Sequence, residues 1–590
     1  MADNGHTLRG IDYKSAFAFT HLFKGFRLAI DPSKLGLALA MILLIYCGGR
    51  LMDAVWPRQH AAVQEGQGRT ALSEVDLYES NSSNFPARRR ARLAEMDEEL
   101  KAEMTAVGKD PTKETPRPAT VIGVYEDRRE EQVKAARDRY DALTGDARTD
   151  AAERARDEEI RAAYATYSSN VDRVGRMQTR GPFISFLEYE IDQVDDIARA
   201  AVSLNFFQNN GVLENLSHLL ITGPTWAIRH HPLFFSLFFA YLLLLWSIFG
   251  GAIARVAAVQ VARDEKISVR QALRFSTGKV LSFVFAPLIP IIIVLVLAVI
   301  LGVAALPMGI PYVGGIWSII VGLLFFLALL AGLVMTLTTL GLIGGGHLMY
   351  PTIAVEGSDS FDAVSRSFSY LYARPWQLIF YSLVALVYGA ITYLFVRFFL
   401  YLLLWLTHVG VSLFLNWSHA DDGSHLVSSM WPQPTNFMQL SYSPNNSALN
   451  PMHDIGSWLI AFWNYLTISL LGAYLISLFF SSSTIIYYLM RREVDATGLD
   501  DVYVEPSDDE FADPAPDSVP PEAAALTGGS AGGFAAGGVA AAAAPEAPPF
   551  APASTPMNAP ESILPSEGDP NVIGQPIDLP APPADENRPQ

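Results

Sequence analysis

Cysteine is almost missing from this chain: Cys47 is the one such residue in 590. No intrachain disulfide can form, and the position of Cys47 inside an apolar run suits packing better than redox chemistry. Cations are missing over long stretches, since no Lys or Arg occurs from Val280 to Ser365 or from Phe398 to Met490. Catalytic patterns are missing too. There is no H-E-x-x-H, and no paired carboxylates, Ser/His/Asp set or His-rich helix lies at membrane depth. Neither an enzyme nor a cofactor, a bound metal or a nucleic-acid partner is expected. A cleaved signal peptide is not expected either, because 34 residues precede the first apolar run and Gly48–Gly49 lead into Arg50 instead of a small-residue cleavage site.

What the chain does have is apolar sequence gathered into blocks. Half of its residues are hydrophobic, and crossing a bilayer takes about 20 mostly apolar residues in a helix. Six stretches qualify: Leu35–Val55, Leu233–Val256, Leu281–Ala305, Ile316–Ile343, Trp376–Val396 and Ser457–Met490. The expected fold class is therefore all-α, a polytopic membrane helix bundle with about six transmembrane helices, an extracytoplasmic helical hairpin insertion and a disordered C-terminal tail. Cations near helix ends collect on the cytoplasmic side. Lys14, Lys24, Arg27 and Lys34 precede the first span, Arg263, Lys266, Arg270, Arg274 and Lys279 separate the second from the third, Arg366 and Arg374 precede the fifth, and Arg491 and Arg492 follow the sixth. Both termini are expected in the cytoplasm, with the chain in a cell inner membrane.

Five regions follow. Residues 1–34 form a cytoplasmic juxtamembrane segment whose Tyr13, Phe17, Phe19, Leu22, Phe23, Phe26 and Leu28 alternate with Lys14, Lys24 and Arg27, a composition that suits an interfacial helix as well as a plain extension. Residues 35–55 are the first transmembrane helix. Residues 56–231 form an extracytoplasmic helical or coiled-coil region. Within it Arg88–Val107 and Tyr125–Val174 read as two helices, rich in helix formers and charge pairs and separated by the turn sequence GKDPTKETPRP. Val133, Ala136, Tyr140 and Leu143 make a narrow stripe, enough for a helical hairpin or coiled coil. Residues 232–492 are a five-helix transmembrane domain, and 493–590 an acidic Pro/Ala-rich tail. That tail carries 18 acidic residues and one Arg, nearly all of the net charge of -18, and has too little apolar surface to order itself.

Phe183–Phe207 has the spacing of an amphipathic helix, with Phe183, Phe186, Leu187, Ile191, Val194 and Ile197 on one side. Glu188, Glu190, Asp192, Asp195 and Asp196 fall elsewhere, as a solvated face in preference to a cation site. Val212–Ile228 is expected to approach the outer interface. His230 and His231 lack a third ligand at useful spacing for a metal. The outer loop Thr407–Asp454 holds His408, His419, Asp421, Asp422, His425, His453 and Asp454 without a metal motif, and reads as a loosely ordered polar loop.

The stretch Leu348–Trp376, LMYPTIAVEGSDSFDAVSRSFSYLYARPW, joins the fourth span to the fifth. Asp359–Tyr372 places Phe361, Val364, Phe368 and Leu371 on one side, and Asp362, Ser365, Arg366 and Ser369 on the other. Ser358 or Asp359 is placed to cap the helix, and Asp362 and Arg366 stand four apart as an ion pair. Arg374 ends it, Pro375 starts the fifth span, and Trp376 suits the headgroup level. The linker Ile253–Lys279 repeats this order of apolar turn, charged patch and amphipathic helix, as a duplicated unit would. Gly341, Gly344, Gly345 and Gly346 fit close helix packing and a C-terminal break better than an unwound substrate site. Arg397 follows the fifth span, where a charge at membrane depth marks function or snorkels to the interface.

Three segments, Ala254–Pro290, Pro351–Val387 and Ser481–Pro506, together resemble a family of uncharacterised multi-pass membrane proteins common in planctomycete bacteria. The resemblance covers the five-helix part and implies a membrane architecture without an activity. The middle segment is also similar to the helix-linking stretch of the membrane domain that accompanies some glycerophosphodiester phosphodiesterases. No stretch resembles the phosphodiesterase domain itself, so the similarity implies no catalysis.

The functional expectation is a non-enzymatic scaffold or assembly protein in the lipid bilayer, contacting protein partners through the outer hairpin and the acidic tail, with self-association into a homo-oligomer open. The alternative is a transporter or channel-like protein for an unidentified solute.

Overall fold

A computed structural model describes residues 17–503 apart from 58–60, 64–71, 81–82, 416, 421–423, 435, 439, 441, 443, 445–448 and 450. The chain divides into two units, Met1–Glu505 and Pro506–Gln590, and everything below concerns the first. Disorder expected for the tail falls outside the described residues beyond Tyr503. Glu493–Tyr503, assigned to that tail from sequence, belong to the folded unit.

Among the described residues the structure is helical, with no strand; isolated bridges join Ala62 with Arg180 and His419 with His425. Six helices are long and apolar enough to cross a membrane. They are α1 (Pro32–Val55); α9 (Pro232–Leu245) continued through a π-helical turn into α10 (Gly251–Arg263); α12 (Val280–Ala305); α14 (Phe325–Glu356); α16 (Pro375–Leu415); and α17 (Pro451–Asp495). Between the first and second spans come α2 (Glu74–Ser80), α3 (Phe85–Ala106), α4 (Pro118–Asp141), α5 (Asp150–Gly175), α6 (Pro182–Val202), α7 (Val212–Ser217) and α8 (Gly223–His230). Short helices α11 (Val269–Gly278), α13 (Val313–Leu323) and α15 (Ser360–Ala373) connect later spans, and two five-residue helices, Gly25–Ala29 and Leu426–Met430, lie before α1 and after α16.

Several lengths differ from expectation. The fourth span is interrupted at Leu324, leaving the 11-residue α13, and then runs unbroken to Glu356. It passes through Gly341–Gly346 without the expected C-terminal break. Its last turns, Leu348–Val355, are buried by protein, so a hydropathy pattern that reports lipid contact fades there while the helix goes on. The fifth span likewise continues to Leu415, which makes Thr407–Leu415 helix instead of outer loop.

Packing is densest at one end of the bundle, here called the base. There α10, the second half of α14, α15 and the last turns of α17 enclose Ala252, Ile253, Met349, Ile353, Ala363, Tyr487 and Met490 in one core. The start of α1 is clamped to it: the buried Lys34 donates to Gln260 Oε1 (2.6 Å), and Gln260 Nε2 to Asp31 Oδ2 (2.9 Å). By contrast α12 and α14 expose Leu295, Ile300, Val303, Leu329 and Leu340, apolar area that a bilayer would cover.

At the opposite end, the crown, the single helix expected over Tyr125–Val174 is two. Gly145 at φ +58° turns the chain, Arg148 holds the carbonyls of Asp141 and Leu143, and Thr149 Oγ1 accepts from Ala152 N to cap α5. The hairpin is therefore α4 against α5, closed by Val133 and Ala136 on Ile160, Ala163 and Tyr164. The end of α3 joins it through Leu100 and Met104 on Val121, Tyr125 and Val174.

Candidate functional site

The polar groups at the base form one knot, and chain reversal at Gly357 builds it. This residue stands at φ +64°, a conformation glycine adopts at low cost. Asp359 Oδ1 then accepts from Asp362 N (2.9 Å) and caps α15, one of the two caps expected. The new helix runs back along α14. A Cβ on Gly341 would stand 2.6 Å from the Phe368 ring, and one on Gly345 3.0 Å from the Ser367 carbonyl, so these glycines serve close packing.

Because α15 folds back, Arg366 lands on Glu356, with Nε 2.9 Å from Oε2 and Nη1 3.0 Å from Oε1. The partner expected from sequence, Asp362, instead lies exposed at the surface. The buried stripe is also rotated: Phe361 is exposed, while Ser367, placed in neither face, is buried and donates to Ala363 O. Tyr487 OH donates to Glu356 Oε1 (2.5 Å), and Arg491 Nε lies 3.4 Å away, an ionic contact without hydrogen-bond geometry. Tyr370 OH donates to Asp495 Oδ2 (2.5 Å).

A strap, Leu499–Tyr503, closes the knot from below. Arg491 Nη1 and Nη2 donate to Asp501 O and Oδ2 (2.8 and 2.7 Å), and Tyr503 N to Val355 O (2.8 Å). Arg255 donates to Ala354 O (2.8 Å) and Tyr503 O (2.7 Å) with its guanidinium over Phe275. Glu356, Asp495 and Asp501 are each held by a cation or a phenol. The arrangement fixes four helices, α10, α14, α15 and α17, and the strap relative to one another.

Both linkers use the same device. The helix α10 ends at the left-handed Asp264, Ser268 caps α11 by accepting from Gln271 N, and Lys279 ends it before the third span. The helix α14 ends at the left-handed Gly357, Asp359 caps α15, and Arg374 ends it before Pro375 opens α16. Ala272 and Ser276 occupy the positions of Ala363 and Ser367, and all four are buried. Trp376, next in the chain, is exposed.

Arg397 lies toward the crown and does not snorkel. It is 1% exposed, and its Nη2 is 2.8 Å from Asp195 Oδ1 on α6. The remaining donors are used by Phe437 O (2.9 Å), Tyr393 OH (2.8 Å) and Met438 O (2.7 Å). Asp195 had been assigned to a solvated face. It turns inward because α6 packs against α1, α2, α7 and α8 and, through Val194 and Ala198, against Tyr393 and Leu400 of α16. The start of α6 is fixed by Asp53 of α1, which accepts from Phe183 N (2.9 Å) and Ile184 N (3.1 Å). The helix thus ties the far end of α1 to α16.

Glu190 is also drawn inward. Its carboxyl lies against Gly223, Oε1 is buried without a hydrogen-bond partner, and burial pushes its pKa from 4.5 up to about 8. Burial first, then the neighbouring Asp195 and other acidic groups, raises Asp192 to about 6. A carboxyl whose folded pKa is raised disfavours the fold once it must ionise, so its cost grows as pH rises from 4.5 to about 8 and is constant above. Replacement Glu190→Gln is expected to flatten the fall in thermal stability between those pH values. An unchanged pH profile would show that Glu190 ionises freely in the fold.

At the crown's base His231 Nε2 lies 3.1 Å from Glu74 Oε1, and the same buried carboxylate receives Arg89 Nε (3.1 Å) and Val63 N (2.6 Å). His230 sits between the Tyr78 and Phe85 rings. Of the outer-loop residues, His408 is buried in α16 against Trp431, and His453 and Asp454 lie in the first turn of α17. His419 pairs through its backbone with His425, and Asp421 and Asp422 lie outside the described residues. Among the described residues no group of three or more His, Cys, Asp and Glu side chains converges.

Sequence reasoning missed Arg255, Glu356, Asp195, Tyr487 and Glu74. One signal for Arg255 was legible, a lone charge inside the apolar run GGAIARVAAVQVA. No family model, curated protein or solved structure matches this chain.

Proposed function

We propose that this multi-pass membrane protein is a non-enzymatic scaffold of a bacterial inner membrane, with both termini in the cytoplasm. Its α3–α5 arm on the outer side and its acidic tail on the inner side hold protein partners. One observation carries the reading. The apolar residues of α4 and α5 are consumed inside the hairpin, as in a short coiled coil, and leave outward a surface of Arg and Glu pairs such as Arg139 with Glu159 (2.9 Å). Outside the cleft that Arg137, Asp141, Arg156 and Arg161 share with His419 and Ala420, such a surface is open and suits polar recognition. The resemblance of the three membrane segments to the planctomycete family supports the choice of membrane.

The test compares the full chain with a chain in which Pro118–Gly175 is replaced by a short Gly/Ser linker, both crosslinked in cells and captured at equal expression. Partners are expected to be lost with the arm. No stable partner for the full chain, or the same partners for a chain lacking both the arm and residues 506–590, rejects the scaffold. Solute flux through vesicles holding the purified protein would point to the transporter alternative.

A further inference from the structure

The residues between α6 and the second span form a surface that the bundle leaves uncovered. The helix α7, a π-helical turn at His218–Thr222 and α8 make one continuous helical stretch from Val212 to His230. One of its faces carries Asn215, Gly223, Trp226 and Ala227, all buried toward α6 and the crown core. The other carries Leu213, Leu216, Leu220, Ile221 and Ile228 at helical spacing, and every one of them is exposed. The loop leading into it adds Leu204 at 76%, Phe206 at 44% and Phe207 at 88% exposure. From Ser203 to His231 the only Asp, Glu, Lys or Arg residues are Glu214, in the first turn of the helical stretch, and Arg229, in its last.

Two occupants suit an apolar stripe of this size, a protein or a bilayer. Continuity decides between them. The stretch runs through His231 directly into α9, whose exposed Leu233 and Leu237 belong to the lipid-facing surface of the second span. The stripe therefore extends a surface already turned to lipid. The span it feeds, Pro232–Arg263, is 32 residues long, or roughly 48 Å at 1.5 Å per residue, against about 30 Å of hydrocarbon. Its crown end can remain within the interface only if neighbouring segments there are also apolar, which Leu204–Ile228 are. Aromatic residues at the tip and a single cation, Arg229, at the boundary match an in-plane interfacial anchor.

We propose that Leu204–Ile228 lies in the outer headgroup–acyl boundary, with Phe206, Phe207 and the Leu213–Ile228 stripe inserted into the leaflet. The partner it fits is a lipid surface. This anchor holds α6, and with it the Asp195–Arg397 junction, at a fixed depth.

The test uses the full chain with Cys47→Ser, carrying one cysteine at a time in place of Phe207, Leu220 or, as a water-exposed reference, Glu131 on α4. Each is labelled with an environment-sensitive fluorophore and reconstituted in phosphatidylethanolamine–phosphatidylglycerol vesicles, with and without acyl-chain nitroxide lipids. The Phe207 and Leu220 probes are expected to emit at shorter wavelength than the Glu131 probe, to lose intensity to nitroxide lipids and to resist aqueous iodide. Iodide quenching equal to that of the Glu131 probe overturns the proposal. Protection from both quenchers also overturns it, because protein then covers the stripe.

Discussion

Replacing Arg397 by Ala is expected to destabilise the protein by about 3–5 kcal/mol, because removing one member of a buried ion pair strands the other charge. Asp195 would lose its cation at the α6–α16 junction, and Phe437 O, Met438 O and Tyr393 OH would each lose a donor. The loss is read as a lowered unfolding temperature of the purified protein. Arg397→Lys should recover only part of it, since an ammonium cannot reach Asp195, two carbonyls and a phenol with one planar fork. The double variant Arg397→Met with Asp195→Leu should be more stable than either Arg397→Ala or Asp195→Ala, as no charge is left uncompensated. An Arg397→Ala protein that unfolds with the wild type would mean that water reaches this junction and the pair is not a buried one.

Glu356→Gln is the second large effect. The neutral amide leaves Arg366 and Arg491 without their shared anion, in a core whose walls are Tyr487, Met490 and Ile353. About 3 kcal/mol of stability should go, at the lower end of what a broken buried pair costs because Arg366 keeps some access to water. Asp362→Ala, four residues before Arg366 on the same helix, should change stability by less than about 0.5 kcal/mol, as exposed charges do. The two variants together decide which carboxylate Arg366 uses. A larger loss for Asp362→Ala would restore the helix-internal pair and remove the knot.

That contrast shows where sequence reading stops. An ion pair four residues apart is a property of one helix and can be written down from spacing. The pair with Glu356 exists because Gly357 reverses the chain and lays α15 antiparallel on α14, a packing that depends on Gly341 and Gly345 accepting Phe368 and Ser367. The break in α4–α5 was legible in principle, through Gly145 followed by Thr149 as a capping residue, but helix-forming residues on both sides outweighed it.

By itself the sequence determined the membrane architecture. Six apolar blocks cannot be satisfied in water, and a helix is the one way each can pair its backbone groups in lipid. It also determined a cap at Ser358 or Asp359 and the entry at Pro375, which are local events. The tertiary structure decided which charges meet. Asp195 and Arg397 lie about two hundred residues apart, as do Asp31 and Gln260, and Arg255 finds its carbonyls on α14 and the strap. Spacing carries no information over such separations. Burial raises the cost of an unpaired charge until only the folds that bring these partners together remain.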